Sequence, residues 1–342
     1  MHLVCIGVRK KDLTEWISGK FDRLRFSNET ITNISSYLIG IGEYITKIFA
    51  RKPRPLSELP RWKATELRLG LLYICPVAYE PYLSKERYSH MMLLHVGIKL
   101  LVNRDTCKTY ADYAENLLKL YVNIGARLYG DKYVTFNVHN LIHLANDVRK
   151  HGSLDDFSAF PYENKLQKMK NLLRKSGKPL QHIVRRLDEI DKAKSNQEHA
   201  ANSSTNISKY RLEGIHFSGP ILPQLSMATQ YKTLKFKNAV LNKTKSENCV
   251  LLVDSNDVFL MENLAKFHEQ IFLVGRRFLK TEDMYTYPLA SSLINEYVVS
   301  NLSTNLESFP ITSVKCKAFR IPITIPSNGK YFVCPLANHS LF

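Results

Sequence analysis

At 342 residues, with 44% apolar and 23% charged side chains, the chain is long enough for two parts with a core each and has the makeup of a folded globular protein. Its formal net charge of +17 calls for a polyanionic partner, nucleic acid before membrane. A disulfide framework and a membrane span are excluded: the six cysteines stand apart, and the longest apolar run, 91–102, is too short and carries His95 and Lys99.

In chain order, residues 29–49 repeat Ile31, Ile34, Leu38, Ile41, Ile45 and Ile48 at steps of three and four, which predicts an amphipathic helix. Gly40 and Gly42 suggest close packing against a neighbour. Residues 51–60 read as a basic, proline-punctuated linker. A second helix is predicted over 62–74, stopped by Cys75-Pro76, and a buried third over 88–103. The fourth, 109–129, lines Tyr110, Tyr113, Leu117, Leu120, Tyr121, Ile124 and Leu128 along one face, with Gly130 just past its end. A fifth ends near His151-Gly152, and 160–175 and 179–190 complete an all-helical half.

Residues 191–208 are polar, small and aperiodic and read as a linker. After them come short runs rich in Val, Ile, Phe and Tyr, separated by turn residues such as Asn328-Gly329. The expected fold class is α+β in two parts: a helical domain over 1–190 and a β-rich domain over 209–342, the latter a small barrel or sandwich. Tyr285, Tyr287 and Phe278 beside Arg276 and Arg277 read first as core and hairpin aromatics, with an aromatic-basic nucleic-acid face as the alternative.

The most informative stretch is 136–186. His139 and His143 are one helical turn apart, so a helix projects both rings from one face, with Asp147 one turn further. From the spacing alone, histidines that pack or cap are the favoured reading, and the glutamate of a zinc-protease H-E-x-x-H motif is missing. Glu163 opens the next helix, where a first-turn carboxylate is stabilised by about 0.3–1 kcal/mol. Lys165, Lys168, Lys170, Arg174, Lys175, Lys178, Arg185 and Arg186 then follow with no Asp or Glu among them. Such a run repels itself unless an anion lies across it, and a phosphate backbone is the obvious candidate.

The segments MHLVCIGV, LSELPRWKATELR, VHNLIHLANDV, FSAFPYENKLQKMK and GKPLQHIVRRL resemble the C-terminal part of CACTA-type (En/Spm-like) transposases, over roughly residues 1–190. The β-rich remainder is only loosely similar to the domain appended to such enzymes. The resemblance implies a DDE nuclease with a ribonuclease-H-like core, of which 1–190 would supply a helical insertion and the last catalytic helix. The related Transib transposases and the V(D)J recombinase carry a His pair shortly before the catalytic glutamate. On that pattern Glu163 matches the metal-binding glutamate, and His139 and His143 match the histidine half of a zinc site, twenty residues before it.

The family's two aspartates and its CxxC pair lie upstream of the segment that here begins at Met1, and the chain has no CxxC. An aspartate commonly precedes the MHLV segment in the family, so Met1 reads as an internal methionine and the chain as a truncated transposase. Magnesium and zinc are implied by the family. Here one glutamate does not make a two-metal site, and two imidazoles lack the further ligands of a tetrahedral one, so Glu163 is expected to be idle. The expectation is a DNA-binding remnant, inactive alone and located in the nucleus, with another copy or an intact transposase as a further partner and no membrane association. The alternative is a chromatin or protein-interaction module. Arg51-Lys52-Pro53-Arg54-Pro55 and Arg9-Lys10-Lys11 are the candidate import signals.

Overall fold

The structure, a computed structural model, describes residues 1–19, 24–173, 177–201, 210–236, 239–253 and 257–340. Among the described residues every α-helix precedes the strands, the segregation of an α+β chain. A π-helical segment, Leu3–Arg9, leads into α1 (Lys10–Ser18) and buries Val4, Cys5, Val8, Leu13 and Trp16. The first predicted periodic helix is α2 (Asn28–Gly40), capped by the Ser27 hydroxyl accepting from the Thr30 amide. It tightens into a 3₁₀ turn, Ile41–Glu43, so the helix ends sooner than the isoleucine repeat implies.

The second predicted helix overruns its expected stop. After α3 (Ala64–Leu69) and a π segment, Gly70–Ile74, the chain continues as α4 (Cys75–Ala78). Pro76 sits in the first turn of α4, where the missing N–H leaves no intrahelical bond unmade. The third and fourth helices appear as α5 (Lys85–Val102) and α6 (Ala111–Tyr129), and Gly130 follows α6 with φ +83°. The fifth is broken: α7 (Phe136–His139), a 3₁₀ turn Asn140–His143, then α8 (Leu144–His151). The last two are α9 (Phe160–Asn171) and α10 (Pro179–Ala201). α10 extends through the first half of the expected linker. Its Lys, Ala, Gln and Glu residues are good helix formers, and Asp188 and Lys192 pair one turn apart at 2.8 Å. The rest of that expected linker, 202–208, lies outside the described residues.

Ten strands follow: β1 (Tyr210–His216), β2 (Thr229–Phe236), β3 (Val240–Asn242), β4 (Cys249–Leu252), β5 (Val258–Phe267), β6 (Gln270–Glu282), β7 (Tyr297–Leu302), β8 (Glu307–Pro310), β9 (Val314–Pro322) and β10 (Tyr331–Ser340). Every pairing is antiparallel. The order β5-β4-β9-β10-β7-β6 returns to its start because β5 also pairs with β6. Within this ring one buried cluster takes Cys249 and Leu251 from β4, Val258 and Leu260 from β5, Phe278 from β6, Tyr297 and Val299 from β7, Ala318 from β9 and Val333 from β10.

Strand alternation decides what faces the helices. Phe319 and Ile321 of β9, and Phe332, Cys334 and Leu336 of β10, leave the ring interior to Ala318 and Val333 and join the helical core. There Phe319 packs on Tyr73 with centroids 5.3 Å apart, and the Tyr73 hydroxyl accepts from the Ala337 amide at 3.1 Å. One buried cluster therefore runs from α1 to β10 across both parts.

Candidate nucleic-acid interface and the buried contacts behind it

α9 and α10 carry the residues singled out in the sequence. Lys165, Lys168, Lys170 and Lys178 are exposed, and none of them is in an ion pair among the described residues. Neither helix is among the elements packed closely against another. Arg174 and Lys175 lie outside the described residues. Arg185 and Arg186 are partly neutralised, because Glu189 sits 3.4 and 2.5 Å from them. The carboxylate-free window stopped three residues short of that glutamate, so these two arginines carry less unbalanced charge than the lysines.

Glu163, in the first turn of α9, has its Oε1 3.0 Å from His2 Nε2. His2 also lies against the Phe160 ring, centroids 4.7 Å apart. The π-helical N-terminal segment and α9 thus meet through the two ends that the sequence placed 161 residues apart. The nearby loop holds Asp155 and Asp156, both engaged. Arg68 and the Asn338 amide reach Asp155 at 2.8 and 3.0 Å, while Asp156 binds Arg104 at 2.6 Å and the Ser153 amide at 2.9 Å. Both fasten a loop.

His139 and His143 stay together despite the broken helix, their rings exposed and 5.5 Å apart, edge to face. No group of three or more His, Cys, Asp or Glu side chains able to hold a metal occurs among the described residues. Burial pushes the Cys5 thiol up to about 12, far from a ready thiolate ligand. The pair alone does not make a zinc site.

Two buried polar clusters escaped the sequence reading. Glu296, just before β7, is fully buried. It accepts from His95 Nε2 at 3.1 Å, from the Tyr285 hydroxyl at 2.6 Å and from the Lys99 ammonium. His95 Nδ1 donates to the Leu71 carbonyl at 2.7 Å, so both ring nitrogens are donors and the imidazole is charged. Burial alone would lower the His95 pKa, but the Glu296 carboxylate overrides it and holds the group up at about 10. Burial alone would raise Glu296, and Lys99 and His95 hold it at about 2. This cluster fastens α5 to the sheet. The second centres on Asp12 of α1, which accepts from Tyr121 and Tyr133 at 2.8 and 2.5 Å, with His90 stacked on Tyr121 at 4.1 Å. The available signal for the first was His95 and Lys99, one turn apart in an otherwise apolar helix.

Of the candidate import signals, Arg9-Lys10-Lys11 is folded into the body. Arg9 is buried against the Trp16 and Tyr79 rings, and Lys10 donates to the Pro60 carbonyl at 2.9 Å. Arg51 and Lys52 are exposed, whereas Arg54 is held by Glu58 and Glu66.

Comparison with known proteins adds one match: a family described as a domain of unknown function (DUF8592) covers residues 215–336, nearly all of the β part. No curated protein and no solved structure matches the chain. No helix among the described residues is long and apolar enough to cross a membrane.

Proposed function

We propose that the chain is a transposon-derived, DNA-binding protein of the nucleus, related to CACTA-type DDE transposases. The observation that carries DNA binding is the set of exposed lysines outside any ion pair among the described residues, Lys165, Lys168 and Lys170 on α9 and Lys178 just before α10. Four lysines free of carboxylates neutralise phosphates and release counterions, which favours binding without reading sequence.

The contact between His2 and Glu163 supports the transposase relationship. In the resembling enzymes an aspartate precedes the segment matching the start of this chain, and here that segment meets the helix of Glu163. The enzyme's chemistry needs both carboxylates and divalent metal. No step of strand transfer is assigned to Glu163. On the same reading, the six-strand ring with its shared interior is a small closed barrel.

The test is fluorescence anisotropy with duplex DNA. Reversing Lys165, Lys168 and Lys170 to Glu should weaken binding at least tenfold and leave thermal stability unchanged. Equal affinity for the variant would sink the assignment. A second reading is a protein-interaction module built on the β part, the part that the family match covers. It predicts that the reversal has no consequence for partner binding.

A further inference from the structure

α10 is a helix in search of a partner. It spans 23 residues and is not among the closely packed elements of the described fold. Helices in water rarely gain their stability from propensity alone and need an apolar face covered. Leu180, Ile183, Leu187 and Ile190 recur at steps of three, four and three, the spacing of a coiled-coil seam over two heptads, and Val184 widens the stripe on one side. Leu180 is 76% exposed, Val184 66% and Ile190 37%, while Ile183 and Leu187 are half-buried.

The charges flanking that seam select the occupant. With Leu180 and Leu187 as the first apolar position of each heptad, Arg186 stands immediately before one and Asp191 immediately after Ile190. In a parallel pair of α10 helices, Arg186 of one copy faces Asp191 of the other, and symmetry makes the ion pair twice. In an antiparallel pair, Arg186 would face Arg186, which repels. We propose that α10 is a self-association element that joins copies of this chain in parallel through Leu180, Ile183, Leu187 and Ile190, with reciprocal Arg186–Asp191 ion pairs.

Leucine at the first position, isoleucine at the second and valine beside them favour an assembly of more than two helices. Arg186 is within 2.5 Å of Glu189 in its own helix, so pairing across copies exchanges a local contact for an intermolecular one. The affinity is accordingly modest. The inference does not rest on DNA binding, though a parallel assembly would bring the lysine rows of several α9 helices to one side.

The test is sedimentation equilibrium of the full chain, treated with nuclease and free of nucleic acid by absorbance ratio. The expected result is reversible association in the micromolar range. Leu187→Asp, on a helix that is not among the closely packed elements, should weaken it at least tenfold while the melting temperature holds. Arg186→Asp and Asp191→Arg should each weaken association about fivefold, and the double exchange should restore it. Leu180→Cys should cross-link copies under mild oxidation, because a parallel seam places Leu180 beside Leu180. A monomer at all accessible concentrations would overturn the proposal. So would association untouched by Leu187→Asp, association lost on nuclease treatment, or single exchanges that the double exchange does not rescue.

Discussion

His2 Nε2 lies 3.0 Å from Glu163 Oε1, joining the first turn of the chain to the first turn of α9. Both side chains are partly solvated, at 32% and 57% exposure, and pairs of that kind contribute between nothing and about 1 kcal/mol. Glu163→Gln should therefore shift the unfolding free energy by less than about 1 kcal/mol in urea titration. A loss of several kcal/mol would mean that the contact is a structural clamp and not an inherited site residue.

The Glu296 cluster predicts a much larger effect. Removing the carboxylate leaves His95 and Lys99 buried as uncompensated cations, and breaking a buried pair typically costs about 3–5 kcal/mol. Glu296→Ala should lower the denaturation midpoint accordingly. Because the cluster ties α5 to the strand region, the loss should appear in helical and sheet signals together.

Stability should also depend on pH with a definite sign. His95 is raised from 6.5 to about 10, so its contribution is complete below pH 6.5 and declines as pH climbs toward 10. Glu296 is lowered from 4.5 to about 2, so its contribution is complete above pH 4.5 and is lost as pH falls toward 2. Melting temperatures across pH should show the cluster's support greatest between these limits. In Glu296→Ala the alkaline slope should flatten, and an unchanged slope would contradict the assignment.

Gly275 offers a backbone test. It sits in β6 opposite Met261, and an added Cβ would stand 1.9 Å from the Leu260 carbonyl oxygen. Overpacking of this kind costs about 1–3 kcal/mol, more where backbone must move. Gly275→Ala should destabilise by at least that much by thermal denaturation, whereas Gly70→Ala, with nothing within 4 Å, should be close to neutral. Equal behaviour of the two would refute the packing described for the β5–β6 hairpin.

Local patterns made most helices legible, because periodic apolar residues and terminal glycines act within one segment. The 109–129 stripe and Gly130 correspond closely to α6. Context defeated the same rules elsewhere. Pro76 reads as a stop but is tolerated in the first turn of α4, and the polar stretch after Asp191 lacks periodicity yet is helical to Ala201. The strands were visible as short apolar runs, but their ring of pairings was not, since register is set between segments far apart. The candidate site divides the same way. The exposure of Lys165, Lys168, Lys170 and Lys178 agrees with their charge pattern, the Glu189 counter-charge was missed by the choice of window, and the meeting of His2 with Glu163 needed the fold. The Glu296 cluster joins residues some 200 positions apart, beyond any motif.

The central proposal is that the exposed lysines of α9, with Lys178 just before α10, bind a phosphate backbone. Its most direct measurement is the affinity of the purified chain for duplex DNA across a salt series. If about four to six phosphates are neutralised, the logarithm of the binding constant should fall against the logarithm of salt with a slope of roughly −4 to −5. The slope should drop by about one for each lysine reversed. No binding at low salt, or binding indifferent to salt, would contradict the account and leave the β part as the functional end of the chain.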